Sequence, residues 1–170
     1  MTTFRCTKKL LQHIGVRPAA PAERKERFGP WCANIVRLDR RSAVIYTNER
    51  TLFSFAMFKV KAKNPPQFHA AFMIGLSNAL ALEGHDQQTV LRVLEAHNAS
   101  AAYTAITNRR VLGSMNAIYQ DISHMIWHQG GLAHSNISEL IHKLNNTPWS
   151  ALGYKRSSEL VTELMNAQEP

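Results

Sequence analysis

The chain has 170 residues, of which 45% are hydrophobic, and it carries a formal net charge of +8. This size fits one domain with a sizeable core, and no apolar run approaches the roughly 20 residues that cross a bilayer. The two cysteines, Cys6 and Cys32, are too few for a disulfide scaffold and lack the CxxC spacing of a zinc site. We therefore expect a cytoplasmic protein with no membrane partner, whose cysteines are reduced and buried.

The positive charge is concentrated in the first third of the chain. Residues 1–63 hold 14 of the 20 Lys and Arg and 4 of the 12 Asp and Glu, a net charge of +10, whereas residues 64–170 carry −2. A clustered positive field attracts phosphate and releases counterions on contact. The same charge also serves as a solvated, solubilising face. The asymmetry therefore suggests a polyanion partner without establishing one.

The basic part, residues 1–63, is predicted to form a sheet. Residues 3–15 begin as a short strand and continue as a helical turn that Gly15 ends. A proline-rich loop follows, and β-branched and aromatic residues then predict three strands separated by turn-like residues. These strands are expected to pair as an antiparallel meander, and they cover residues 31–38, 42–48 and 51–62.

The second part, residues 64–170, is predicted to be mainly helical. Helices are expected over residues 67–84, after an Asp86 cap, and over 109–131, with a lone strand at 100–107. Two short helices end the chain, the second capped by Ser157 or Ser158, and Trp149, Leu152 and Tyr154 are expected to pack on the core. The predicted fold is a single α+β domain over 1–170, with about four antiparallel strands between residues 31 and 107 and helices on one face.

The last part of the chain resembles the end of transposase and integrase catalytic domains. That string is "LNNTPWSALGYKRSSE". Those enzymes need three carboxylates around two metal ions, with the first on a core strand. The segment that should carry it, "WCANIVRL", has no acidic residue, and Asp39 and Glu49 fall in predicted turns. The similarity is superficial, and we expect no metal-dependent nuclease activity.

A broader resemblance covers most of the chain. The blocks that carry it are "RCTKKLL", "WCANIVRLDRR", "TNERTLFSF", "TNRRVLGSMN" and "LNNTPW". Together they resemble an uncharacterised bacterial domain family of unknown function, marked by C-T-K-K-L-L and R-x-V-L-G-S-M-N motifs. The resemblance implies one intact domain and places the tail within that family's own pattern, and it implies no activity.

One candidate anion site lies in residues 105–116. A strand that runs into a helix N-terminus offers backbone N–H groups, and Arg109, Arg110, Ser114 and Asn116 add side-chain donors for a phosphate. The block matches neither the G-x-x-x-x-G-K-[ST] loop nor G-x-G-x-x-G. In the structural alternative, Thr107 or Asn108 caps the helix and Gly113 lets another element approach closely.

A second candidate is the set of basic side chains in the N-terminal half. Alternation along a strand places Lys59, Lys61 and Lys63 on one face, a stripe that suits a nucleic-acid backbone. The other cations proposed as phosphate contacts are Lys8, Lys9, Arg37, Arg40, Arg41 and Arg50. Nothing in this half is built to read base edges, so we expect weak, salt-sensitive binding without sequence preference.

Other chemistries have weaker signals. His124 and His128 are four residues apart on the predicted long helix, yet no acid or thiol is spaced to complete a metal site. Cys6 stands beside Lys8 and Lys9, but the apolar residues that follow favour a buried thiol. We predict no metal site and no cofactor.

Three functional classes remain open from the sequence. The favoured one is a non-catalytic accessory protein of nucleic acid or of a mobile element, with the DNA or RNA backbone as partner. The alternatives are a small metal-independent, ribonuclease-like enzyme acting on phosphate and an interaction module whose basic face meets an acidic protein.

Overall fold

A five-stranded mixed sheet organises the fold. The computed structural model describes residues 1–20, 26–58 and 63–167. In chain order the elements are β1 (Thr2–Cys6), α1 (Lys8–Ile14), β2 (Trp31–Leu38), β3 (Arg41–Asn48), β4 (Ser54–Phe58), α2 (Pro65–Leu82), α3 (Gln87–Asn98), β5 (Ala101–Ala105), α4 (Arg109–His128), α5 (Ile137–Asn145), β6 (Pro148–Trp149), β7 (Lys155–Arg156) and α6 (Ser157–Asn166), with short 3-10 turns at Leu132–His134 and Ser150–Leu152.

The strands lie in the order β4-β3-β2-β1-β5. Strands β2, β3 and β4 form the predicted antiparallel meander, and β1 lies between β2 and β5 and is parallel to both. The α+β class in a single domain is confirmed. The prediction of an antiparallel sheet between residues 31 and 107 is wrong in one detail, because β1, at residues 2–6, pairs in parallel between β2 and β5. Helix α1 lies in the crossover from β1 to β2.

Aromatic rings fill the face of the sheet that lies under α2. Phe72 of this helix places its ring centroid 4.8 Å from that of Phe4 and 5.1 Å from that of Trp31. At Gly75 a Cβ atom would lie 2.5 Å from Cε2 of Phe55, so only glycine lets α2 come this close to β4. Each such buried side chain stabilises the fold by roughly 1.5–3 kcal/mol.

Helix α4 covers the opposite face. Cys32 is adjacent to Trp31 and points to the other side of the sheet, where it packs with Val111 and Met115 of α4. The hydroxyl of Tyr119 donates to the carbonyl oxygen of Arg37 at 3.2 Å, so α4 also reaches the far end of β2. Helices therefore lie on both faces rather than on one, because the inner strand β2 carries buried side chains on both sides.

The outer edge of β4 is closed by a side chain of α5. The amide of Asn145 accepts the N–H of Ser54 and donates to its carbonyl oxygen, both at 2.9 Å. Asn145 is 1% exposed. It thus replaces the two hydrogen bonds that a further strand would make at this position.

Two predictions about the chain end are wrong. Tyr154 is 76% exposed instead of packing on the core. Helix α6 begins at Ser157 without a serine cap, and the carboxylate of Glu159 accepts the N–H of Arg156 instead. The caps predicted or allowed at Asp86 and Asn108 are confirmed. Within the part of the chain that the structure describes, no helix is both long and apolar enough to span a membrane.

His97 is a buried core residue. Its Nδ1 donates to the carbonyl oxygen of Val93 at 2.8 Å, and its Nε2 accepts the indole N–H of Trp31 at 3.1 Å. One nitrogen donates and the other accepts, which defines the neutral ring. Burial lowers the pKa of His97 below its ordinary value, so this neutral form is favoured in the folded protein.

Candidate functional site

Three segments that are far apart in sequence meet at the carboxylate of Glu49. Nη1 of Arg5, in β1, lies 2.9 Å from Oε1 and 2.8 Å from Oε2 of Glu49. Asn108, which precedes α4, donates its Nδ2–H to Oε1 at 3.1 Å. The Glu49 side chain is only 14% exposed, so these contacts compensate a largely desolvated charge. The three residues belong to the blocks "RCTKKLL", "TNERTLFSF" and "TNRRVLGSMN".

The turn between β3 and β4 is fixed by Asn48. Its Oδ1 accepts the N–H groups of Arg50 at 3.0 Å and Thr51 at 3.1 Å, and its Nδ2 donates to the carbonyl oxygen of Phe28 at 2.8 Å. Leu52 completes the turn at a φ of 54°, which a side chain of this size rarely adopts. This hydrogen-bonded turn determines where Glu49 and Arg50 project.

Arg50 is held against the segment that precedes β2. Its Nη1 donates to the carbonyl oxygen of Arg27 at 3.3 Å. Gly29 has a φ of 70°, and a Cβ atom there would lie 2.9 Å from Cδ and Nε of Arg50. A side chain at position 29 would therefore displace the arginine, so glycine is required for its placement.

Arg110, in the first turn of α4, faces the same region. Its Nη2 donates to the carbonyl oxygen of Ala151 at 2.7 Å. Oδ1 of Asn108 accepts the N–H groups of Arg110 at 3.0 Å and of Val111 at 3.3 Å. These helix N–H groups already have a partner, so the guanidinium groups, rather than backbone amides, are the donors left for an anion.

These residues line one groove of about 270 Å³, which we call the Arg50–Arg110 groove. Ser114, Asn108 and Glu49 also line it, and Arg50 and Arg110 are exposed. Arg5 offsets the charge of Glu49 from outside the lining, and Arg50 and Arg110 add two further positive charges, so the groove carries excess positive charge. An anion with several acceptor oxygens fits this arrangement.

The structure brings only part of the predicted sites together. Arg50, Arg110 and Ser114 line the groove, whereas Arg109 and Asn116 are exposed on α4 outside its lining. Lys8 and Lys9 are exposed at the start of α1, and Lys63 is exposed just before α2. Lys59 and Lys61 lie outside the described residues, so the predicted lysine stripe stays a prediction.

The remaining arginines of the N-terminal half cluster elsewhere. Arg37, Arg40 and Arg41 are exposed at the turn between β2 and β3. Arg50 follows the other end of β3, roughly 23 Å away at about 3.3 Å per residue. The excess charge of the first 63 residues is therefore spread over at least two surfaces.

Two residues of the network were not named as site residues from the sequence. The sequence does not distinguish Arg5 from the other cations of residues 1–63. It presents Glu49 only as a possible metal ligand in a predicted turn. Their positions in two of the blocks that carry the family resemblance were the available signal. The expectation that Gly113 permits a close approach is wrong, because a Cβ atom there would meet nothing within 4 Å.

Burial keeps both cysteines in the protonated thiol form. Both are free and buried, as predicted. Burial, and secondarily the charge of Glu49, raises the pKa of Cys32 to about 12 against the opposing effect of Arg5. Burial also raises the pKa of Cys6 far above its ordinary value. Both thiols are therefore protonated at neutral pH.

Among the described residues, His124 and His128 of α4 form no group with a third His, Cys, Asp or Glu. The rings of His124 and His128 are 6.2 Å apart between centroids. Over residues 1–20, 26–58 and 63–167, no three His, Cys, Asp or Glu side chains form a group that could hold a metal ion.

Comparisons with known proteins agree with the resemblance seen in the sequence. A family profile described as "Domain of unknown function (DUF6933)" matches residues 3–160. Neither the curated proteins nor the solved structures include a match. The matched region contains all three segments that meet at Glu49 and the turn that contacts Arg110. Because the profile spans nearly the whole chain, the protein belongs to the DUF6933 family of unknown function.

Proposed function

We propose that this protein binds the phosphate backbone of nucleic acid in the Arg50–Arg110 groove without catalysing a reaction there. The observation that supports the proposal is the convergence of three distant segments on one open groove with two exposed guanidinium groups. If these segments met only to pack against one another, the fold would not need exposed arginine side chains in them.

Each guanidinium has donors to spare. A guanidinium carries five N–H donors. Arg50 uses one on the carbonyl oxygen of Arg27, and Arg110 uses one on that of Ala151. These carbonyl contacts orient the planar groups and leave the other N–H donors for phosphate oxygens.

The groove favours binding over catalysis. Its described lining includes no histidine, and Glu49, its one carboxylate, is already engaged by Arg5 and Asn108. A metal-independent phosphodiesterase needs a general base within reach of the attacking hydroxyl. An accessory role for nucleic acid or a mobile element therefore fits this site better than a ribonuclease-like role.

The test is a fluorescence anisotropy titration with a labelled single-stranded oligonucleotide of mixed sequence at low salt. R50A/R110A should weaken binding by at least about ten-fold and lower the log–log salt slope by about 1.4, since two phosphate contacts are lost. The matched control, R37A/R41A, removes the same charge from the other end of β3 and should change affinity by less than about twofold.

Two results would contradict the proposal. The first is an absence of binding at tens of micromolar protein. The second is an equal loss in both double variants, which would mean that net charge matters and the groove does not. The variant K59A/K61A/K63A tests the predicted lysine stripe in the same titration. An acidic protein captured in a salt-sensitive complex, with no nucleic acid bound, would instead select the interaction-module alternative.

A further inference from the structure

Tyr154 presents a large aromatic ring to solvent close to the Arg50–Arg110 groove. The residue is 76% exposed and has a φ of 64°. Its backbone N–H donates to the carbonyl oxygen of Trp149 at 2.9 Å, which holds this conformation. Left-handed backbone is unfavourable for a bulky residue, and an exposed ring adds little to core packing. The fold thus maintains an exposed ring that packing does not explain.

The turn that carries Tyr154 is part of the groove. Ala151 accepts the hydrogen bond from Arg110, and both Ala151 and Leu152 line the groove. Consecutive Cα atoms are about 3.8 Å apart, so the Cα atom of Tyr154 lies within about 8 Å of that of Leu152. The backbone of Tyr154 is therefore close to the lining of the groove, within the span of a short oligonucleotide.

The neighbouring cations of the turn are paired with acidic residues of α6. Nζ of Lys155 lies 3.7 Å from a carboxylate oxygen of Glu163, and Nε of Arg156 lies 4.0 Å from one of Glu159. These exposed pairs are weak, and each cation is offset by a carboxylate, so this side of Tyr154 carries no excess charge. On the groove side, the turn is joined to Arg110 through Ala151, and Arg50 lines the same groove, so the excess positive charge near Tyr154 lies there.

We infer that the ligand of the groove is single-stranded nucleic acid, with one base stacked on Tyr154 and the adjacent phosphates held by Arg50 and Arg110. This inference rests on the proposed function and extends it. A duplex hides the faces of its bases, whereas a single strand offers a face for stacking beside each phosphate. Because every base has such a face, stacking on one ring gives affinity without sequence preference.

The test compares a labelled single strand with the duplex of the same sequence in anisotropy titrations. Y154N removes the ring with a residue that tolerates left-handed backbone, and it should weaken single-strand binding by about ten-fold. Y154F keeps the ring and should restore the affinity to within about twofold of the native value. Duplex binding should be weaker than single-strand binding and should not respond to Y154N.

The control is the other strongly exposed aromatic residue, Trp127, which is 74% exposed. It lies about 25 Å along α4 from Arg110, at about 1.5 Å per residue, so W127A should leave single-strand affinity unchanged. If R50A/R110A weakens binding and Y154N does not, the proposed function stands and this inference is wrong. Equal affinity for single strand and duplex also overturns it, and no binding of either overturns both proposals.

Discussion

The region under α2 is built on strands of the sheet, whereas the Arg50–Arg110 groove is built from the β3–β4 turn, the start of α4 and the turn at Ser150–Leu152. Beneath α2, the rings of Phe4 and Trp31 pack edge to face against Phe72 and are shielded from water. At the groove, charged side chains such as Arg5 and Glu49 remain partly exposed and are held by directed hydrogen bonds. The comparison indicates that stability resides mainly in the first region and ligand binding in the second. Each prediction below tests one side of that division.

The largest expected loss of stability comes from the aromatic region. F72A should lower the free energy of unfolding by about 3–5 kcal/mol, because the ring is fully buried and its loss leaves a cavity among several aromatic neighbours. Urea denaturation followed by circular dichroism measures it. A loss below about 1 kcal/mol would mean that the aromatic layer does not dominate stability.

An intermediate loss is expected at Glu49, whose partners Arg5 and Asn108 tie the edge of the groove to β1 and α4. E49A should cost about 1–3 kcal/mol, because Arg5 and Asn108 then lose their acceptor in a partly buried site. The same denaturation measurement applies, with R50A/R110A as comparison, since those exposed side chains should cost less than about 1 kcal/mol. If the double variant proves the less stable of the two, the groove contributes to folding and the division fails.

Stability should also depend on pH through His97. Its pKa in the folded protein is lowered from the ordinary 6.5 by burial, so the unfolded chain takes up a proton first as the pH falls. Stability linked to this group is therefore complete above about pH 6.5 and decreases as the pH falls toward the folded-state pKa. Urea midpoints between pH 8 and 5 measure it, and H97Q should show a smaller decrease over this window. If the urea midpoints of the native protein and of H97Q decrease equally over this pH window, His97 is not the group responsible.

The smallest effect is expected on the exposed face of α4. G113A should raise stability by about 0.5–1 kcal/mol, because glycine is unfavourable inside a helix and the added methyl group meets nothing within 4 Å. Thermal unfolding resolves a change of this size. A decrease in the stability of G113A would mean that this face of α4 makes a contact that is not present in the structure of the single chain.

Local patterns predicted most of the elements but not how they pair. The period-two pattern of 31–38 and 42–48 and the helical stripe of Phe68, Phe72 and Leu76 match β2, β3 and α2. The parallel position of β1 was missed, because a five-residue strand carries no local signal of its partner. Tyr154 was assigned to the core because an aromatic residue is usually buried, and only the turn conformation reveals its exposure.

The site was predictable in its residue types but not in its geometry. Arg50, Arg110 and Ser114 were named from their chemistry, yet their meeting depends on the turn at Asn48 and on Gly29, which no periodicity reports. Asn108 was foreseen as a cap. Its second contact, to Glu49, requires the three-dimensional fold, because the two residues are 59 positions apart.

The central claim is that Arg50 and Arg110 contact phosphate while other exposed arginines do not. Modification by an arginine-specific dicarbonyl, read by mass spectrometry with and without a saturating single-stranded oligonucleotide, tests it directly. We predict that the oligonucleotide slows modification of Arg50 and Arg110 and leaves Arg37 and Arg41 unchanged. Equal protection of all four, or protection of Arg37 and Arg41 alone, would contradict the account.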